Sequence, residues 1–281
     1  MPRFVLTLRC PDRPGIVRGL ASGVFSIDGN IVDSSQFSDV TTGGFFMRME
    51  FDAPDVNGDE VHTHLAAELA EFDPELTIRP QEQRRRALVM VSKQDHCLVD
   101  LLYRTGLGEL PVDIPLVVSN HETTRATVEA HGIPFVHLPV STDTKPEAER
   151  QLRELVEEHD IDFIVLARYM QIVSDETCEA LYGRIINIHH SFLPAFKGAK
   201  PYHQAFDRGV KVIGATAHYV TADLDEGPII HQDVAHVNHA VGPDDLVVIG
   251  RDIERLVLAR AVRLHAEDRV LLNGHRTVVF D

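Results

Sequence analysis

The chain has no tryptophan and only three cysteines in 281 residues. Cys10, Cys97 and Cys178 stand far apart with no CxxC spacing. That leaves neither a disulfide framework nor a thiolate zinc site, and fits reduced, packed thiols. Long apolar runs are missing too: no stretch approaches the roughly 20 residues that span a bilayer. The opening MPRFVLTLRCPDRPG does not follow the charged, apolar, small-residue order of a secretory leader. A cytoplasmic protein without a membrane partner is expected. Positive charge is also scarce, with 27 Lys and Arg against 43 Asp and Glu and a formal net charge of −16. The one basic run, Arg84-Arg85-Arg86, is too short to reverse a field that repels a phosphate backbone. Nucleic acid is therefore not an expected partner.

What is present is a 44% apolar chain, long enough for two cores, and its hydrophobic pattern changes character once. Phe4, Leu6 and Leu8 alternate with Val5, Thr7 and Arg9 before the breakers Pro11 to Gly15, which reads as a strand and a tight turn. Ile16, Leu20 and Val24 then recur at helical spacing as far as Gly29-Asn30. Two strands follow, Ile31 to Ser38 and Phe45 to Phe51, joined through Thr41-Thr42-Gly43-Gly44. A helix bearing Val61, Leu65 and Leu69 and a short strand near Leu76 to Ile78 complete the order βαββαβ, a ferredoxin-like unit over residues 1–80. Residues 81–86, polar and strongly charged, form the expected linker.

From residue 87 to 281 short Val/Ile/Leu-rich strands alternate with amphipathic helices. Strands are expected at Ala87 to Val91, Ile114 to Val118, Phe135 to Val140, Phe163 to Leu166, Arg184 to Ile188 and Val212 to Ala217. Helices are expected near 96–105, 122–131, 146–159, 174–181 and 243–265, before a terminal hairpin from Val270 to Leu272 and Thr277 to Phe280. Near-continuous apolar strands are buried on both faces. The pattern is that of a doubly wound, mainly parallel α/β sheet, which takes its ligands beyond the carboxyl ends of the strands.

One such end carries the most informative stretch, Ile185-Ile186-Asn187-Ile188-His189-His190-Ser191-Phe192-Leu193-Pro194, followed later by His218-Tyr219-Val220-Thr221-Ala222-Asp223-Leu224-Asp225-Glu226-Gly227-Pro228. Asn187 and His189 share one side of an extended chain, where one group can hold a developing oxyanion while the other moves a proton. His190 then falls on the opposite face, as a packing or supporting residue. His218 reads equally as a group near the chemistry and as an interior histidine bonded to a carbonyl. His231, His236 and His239 read as exposed histidines on a late loop. No HExxH is present, and no metal is expected. Lys197-Gly198-Ala199-Lys200 reads as a flap over the site with Gly198 as its hinge.

NIHHSFLP, KGAKPYHQA and GATAHYVTADLDEGPII together resemble the formyltransferase-fold enzymes that use 10-formyltetrahydrofolate, whose signature is an Asn-x-His pair and a later Asp ahead of Gly-Pro. The doubled histidine, the KGAKPYHQAF segment and the amino-terminal LRCPDRPGIV, GNIVDSSQFSD and GGFFMRMEF are similar to the deformylating branch of that family, over nearly the whole chain. The resemblance implies hydrolysis of 10-formyltetrahydrofolate to formate and tetrahydrofolate, which supplies formate for purine synthesis and balances the one-carbon pool. Water and the folate are then the partners, and no separate cofactor is needed. Asn187 would donate to the oxyanion, His189 would assist it and transfer the proton, and Asp225 would orient His189 or the water. Tyr169, Met170, Ile172 and Val173 would line the folate pocket, Thr221 and Leu224 would close it, and Gly227 would let the backbone approach the ligand.

Transferases of the family that accept a phosphorylated amine carry a Gly-rich loop where this chain has Val91-Ser92-Lys93-Gln94-Asp95-His96. Without glycine, and with Asp95 there, a phosphate is disfavoured. The amino-terminal unit resembles an ACT domain. That implies a homodimer or homotetramer with a small amino-acid effector near Asp12, Arg13, Gly15, Ile16 and Asn30, although Pro and Gly there equally suit a plain turn. The competing readings are a folate-binding, amino-acid-responsive regulator and a formyltransferase to a non-phosphorylated amine.

Overall fold

A computed structural model describes residues 1–54, 57–194 and 201–281. They divide into two compact units: residues 1–84 with 268–273 and 277–281, and residues 85–267 with 274–276.

The first unit runs β1 (Arg3–Pro11), α1 (Ile16–Ser26), β2 (Asn30–Asp39), β3 (Gly44–Asp52), α2 (Gly58–Glu68) and β4 (Glu75–Pro80). Its sheet has the order β2-β3-β1-β4 with every neighbouring pair antiparallel, the βαββαβ arrangement that the alternation in β1 and the Ile16/Leu20/Val24 spacing predict. Those helical residues bury against Leu6, Leu8 and Phe51 of the sheet, Leu65 of α2 and Leu69 just beyond it. Asn57 caps α2 by accepting from the Glu60 amide while Glu60 accepts from the Asn57 amide, a reciprocal arrangement that starts the helix there.

The second unit contains β5 (Arg85–Val91), α3 (His96–Gly106), β6 (Val112–Asp113), β7 (Val117–Ser119), α4 (Arg125–Ala130), β8 (Phe135–His137), α5 (Lys145–Glu158), β9 (Phe163–Leu166), α6 (Asp175–Ala180), β10 (Ile185–His189), α7 (Pro201–Asp207), β11 (Val212–Tyr219), β12 (Ile229–His236) and α8 (Pro243–Ala266). The strand order is β12-β11-β10-β9-β5-β7-β8, with β6 beside the start of β5. From β10 to β8 all neighbours are parallel, and β11 and β12 extend the edge antiparallel. β5 leads to β7 and β8 on one side and the chain then returns to β9 on the other, so the order reverses at β5/β9. A doubly wound sheet opens its ligand crevice at such a reversal.

The structure departs from the sequence reading in several places. Of the strand expected over 114–118 only Val117 and Val118 pair, in β7, and a separate short β6 ends at Asp113, ahead of Pro115, which has no amide to pair. β8 stops at His137, ahead of Pro139. β12 and α7 were not expected. β12 is an edge strand with a half-exposed, polar-rich pattern, so it carries no continuous apolar signal. His231 and His236 accordingly sit on β12 and not on a loop. The terminal hairpin, β13 (Val270–Asn273) and β14 (Arg276–Val279), forms where expected. Residues 268–273 and 277–281 group with the first unit and not the second, with Val278 and Phe280 buried against Phe46. Lys197 to Lys200 lie outside the described residues.

Candidate active site

β10 lies between β9, which runs parallel to it, and β11, which runs antiparallel, and the loops that follow both neighbours line the cavity at Asn187 and His189. Register pairs Asn187 with His218 and His189 with Thr216. The alternation that puts Asn187 and His189 on one side is realised, and both line a cavity of about 260 Å³. The strand ends at His189, so alternation no longer governs the next residue. His190, expected on the opposite face, stacks its ring on that of His189 at 5.2 Å and 21° and lines the same cavity.

Hydrogen bonding fixes the role each group can play. His218 is buried and its Nδ1 lies 2.9 Å from the Tyr219 carbonyl oxygen. A carbonyl only accepts, so the proton sits on Nδ1 and Nε2 is left as an acceptor. Asn187 Nδ2, 3.2 Å from that Nε2, must then be the donor. The amide is thereby held in one orientation, with its second N–H free to serve a ligand. Burial pushes the His218 pKa below the ordinary imidazole value, which keeps the ring neutral in this role.

His189 is 5% exposed, and its Nδ1 lies 3.2 Å from Asp225 Oδ1. The carboxylate accepts from Nδ1–H, leaving Nε2 as the reactive nitrogen; that atom is buried and has no hydrogen-bond partner among the described residues. Burial acts to raise the Asp225 carboxyl, but the hydrogen bond from His189 and the neighbouring imidazoles outweigh it and hold the group below the ordinary carboxylate range. The Asp225 backbone lies in the left-handed region at φ 58°, a conformation that costs about 1–3 kcal/mol in a non-glycine residue and recurs at functional sites. Asp225 Oδ1 is 3.8 Å from His218 Nε2, too long for a hydrogen bond.

Every folate-side residue singled out in the sequence lines this cavity except Gly227: Tyr169, Met170, Ile172 and Val173 from the loop after β9, Thr221 and Leu224 from the loop after β11. Met170, Ile172 and Leu224 are each more than half exposed, an apolar rim that a flat ring system would cover. Gly227 answers a different need. A Cβ there would stand 1.8 Å from the Tyr219 carbonyl oxygen, so its bareness serves the chain's own backbone and not a ligand. On the first unit, Gly15 is left-handed (φ 103°), Ile16 is buried, and Asp12, Arg13 and Asn30 are exposed. The Arg13 guanidinium lies over the Phe72 ring at 4.7 Å.

In the segment from Leu166 to Val173, sequence reasoning places the pocket wall but does not single out Arg168 and Gln171, which line the cavity as well. It also missed a buried cluster beside the site, in which Glu254 of α8 accepts from His96 Nε2 at 2.7 Å and from the Tyr202 hydroxyl at 2.7 Å, with Arg168 Nε at 3.4 Å. These residues are far apart in sequence and share no motif, so only the packing of α8 over the sheet reveals them. His96, Cys97 and Glu254 have metal-like proximity. The Arg168 guanidinium beside the same carboxylate already neutralises its charge, so the group is an ion-pair cluster poorly suited to a cation.

A doubly wound unit with an Asn-x-His pair at a strand end, an Asp behind the histidine and an apolar rim has the layout of a formyl-group enzyme. The family model described as formyl transferase matches residues 85–262, and the chain belongs to that family. Relatives named formyltetrahydrofolate deformylase are 50% identical in Corynebacterium sp. (strain P-1), covering 99% of this chain and 98% of that protein, and 47% identical in Bacillus subtilis (strain 168), covering 98% and 93%. A crystal structure of a formyltetrahydrofolate deformylase from Pseudomonas syringae pv. tomato superposes with a TM-score of 0.97 at 47% identity, covering 100% of this chain and 95% of that one. The glycinamide ribonucleotide transformylase 1 of Symbiobacterium toebii superposes with a TM-score of 0.66 at 31% identity, over 70% of this chain and 95% of its own.

Proposed function

We propose that this chain hydrolyses 10-formyltetrahydrofolate to formate and tetrahydrofolate, with water as the formyl acceptor. The observation that carries the reading is the pair of groups left open at one cavity: the second Asn187 N–H and His189 Nε2, which has no partner among the described residues, each side chain locked by its neighbour. With the folate ring on the rim of Met170, Ile172 and Leu224, the formyl oxygen meets the Asn187 amide. His189 Nε2 takes a proton from water as its oxygen bonds to the formyl carbon, and the negative charge gathers on the oxygen held by Asn187. The imidazolium, steadied by Asp225, returns the proton to the folate nitrogen as the C–N bond breaks. Formate leaves and one proton passes to solvent. The scheme uses water and side chains alone, without a metal or cofactor.

The expected test is formate release from 10-formyltetrahydrofolate with no amine present. Asn187→Ala should lower turnover about 10²- to 10³-fold and His189→Ala about 10²- to 10⁴-fold. Activity within threefold of wild type in either variant would overturn the assignment.

The first unit is assigned, in the same proposal, as an ACT-like regulatory and pairing domain. Supporting this, α1 begins at Ile16 after a glycine with no side-chain cap, so its amides are available to a carboxylate beside Asp12 and Asn30. β2 is the edge of its sheet, and Ile31, Val32 and Phe37 are each more than a third exposed. An unprotected apolar edge suits a second copy of the chain. Titration calorimetry of the whole protein with a panel of amino acids should give heat of binding. No binding by any of them removes the regulatory part and leaves the hydrolase standing.

A further inference from the structure

Beside the catalytic cavity lies a second one, of about 320 Å³, lined by Ser92, Lys93, Gln94, Asn120 and His121. Its floor comes from the loops after β5 and β7, and its remaining wall from the loop after β9, at the β5/β9 reversal where a doubly wound sheet takes ligands. Arg168, Met170 and Gln171 line both cavities. Of these three, Arg168 is the buried one, and it is held from behind: Nε and Nη2 donate to Gln94 Oε1 at 2.9 and 2.7 Å, and Nε lies 3.4 Å from Glu254. Its Nη1 is buried and has no hydrogen-bond partner among the described residues. The residue occupies left-handed backbone at φ 63°, a strained choice for an arginine that persists only where the surroundings enforce it.

Taking the hydrolase reading as given, we propose that Arg168 is its specificity-determining residue, a partition that closes the amine-acceptor space beside the formyl carbon and leaves room for water alone. Glu254, itself fixed by His96 and Tyr202, clamps the partition from α8. The competing reaction is balanced: an amine nitrogen bonds to the formyl carbon, the C–N bond to the folate breaks, and one amine proton moves to the folate nitrogen, giving an N-formyl amine where hydrolysis gives formate. The difference between the two outcomes is space on the acceptor side, and the second cavity supplies that space once the guanidinium is gone. Arg168 acts by exclusion, so removing it should change which product forms.

The test runs 10-formyltetrahydrofolate turnover in the presence of glycinamide and measures N-formylglycinamide and formate together. Wild type should give formate at every glycinamide concentration. Arg168→Gly suits the left-handed backbone, and the double variant Arg168→Gly/Glu254→Gln also avoids leaving a buried carboxylate without its cation. In both, the ratio of amide to formate should rise at least tenfold and scale with glycinamide, while Arg168→Lys, which keeps bulk and charge, should stay close to wild type. An unchanged ratio in variants that still turn over would overturn the proposal, as would an equal rise in Arg168→Lys. A folded Arg168→Gly protein that made neither product would overturn it too, by placing Arg168 in the chemistry itself. Formate release by wild type is measured in the same experiment without glycinamide, so a failure of the hydrolase reading is seen separately.

Discussion

His190 shows how one side chain reports on the character of the whole site. Burial lowers its pKa from 6.5 to about 4, with the neighbouring Arg168 guanidinium adding to the effect. In the unfolded chain the ring takes up a proton near pH 6.5, and in the folded chain only near pH 4. The unfolded state therefore binds more protons between those values, and stability falls as the pH is lowered through that window, by up to about 3 kcal/mol for a shift of this size. His218, also shifted down by burial, works in the same direction. Urea unfolding measured from pH 7 to pH 4 should show this loss, and His190→Gln should flatten much of it. A His190→Gln profile that parallels wild type would contradict the assignment. At the same scale, Asn187 and His189 were legible as a pair because a strand's two-residue period places them together. Asp225 was legible through the resemblance, as the group that orients His189 or the water, while the left-handed backbone that holds it there was not.

At the scale of elements, the loop from Thr221 to Pro228 does as much as the strands it follows. Tyr219 donates its amide to the Pro228 carbonyl, closing the loop on itself, and Gly227 fits against the Tyr219 carbonyl only because it has no Cβ. Gly227→Ala should push the loop off β11 and carry Asp225 away from His189. Formate turnover is expected to fall more than tenfold, and circular dichroism should show the sheet retained. Full activity in this variant would show that the loop tolerates the shift and that Asp225 does not need its present position. Strands with apolar runs, such as β5, β9 and β10, were readable because burial on both faces demands such runs. β12 and α7 were not, since an edge strand that meets solvent keeps polar residues and a seven-residue helix spans too few turns to show a period. Pro115 and Pro139 were visible in the sequence, and their missing amides explain why two expected strands came out shorter.

On the scale of the molecule, every described residue that lines the catalytic cavity belongs to the second unit. Among the described residues no helix is long and apolar enough to cross a membrane. The three cysteines are all buried, and burial raises each thiol above its ordinary value, which disfavours the nucleophilic thiolate. The hydrophobic period changes from one region to the other, near the place where the chain passes from its first unit to its second. The return of the last residues to the first unit was not legible in the sequence, since Val278 and Phe280 find their partner Phe46 only through the fold. The central claim is that Asn187 and His189 direct water, and nothing else, onto the formyl carbon. Turnover of 10-formyltetrahydrofolate in ¹⁸O-labelled water without any amine tests it most directly. The account predicts formate carrying one solvent oxygen and formed in equal amount to tetrahydrofolate. Unlabelled formate, or tetrahydrofolate formed without formate, would contradict it.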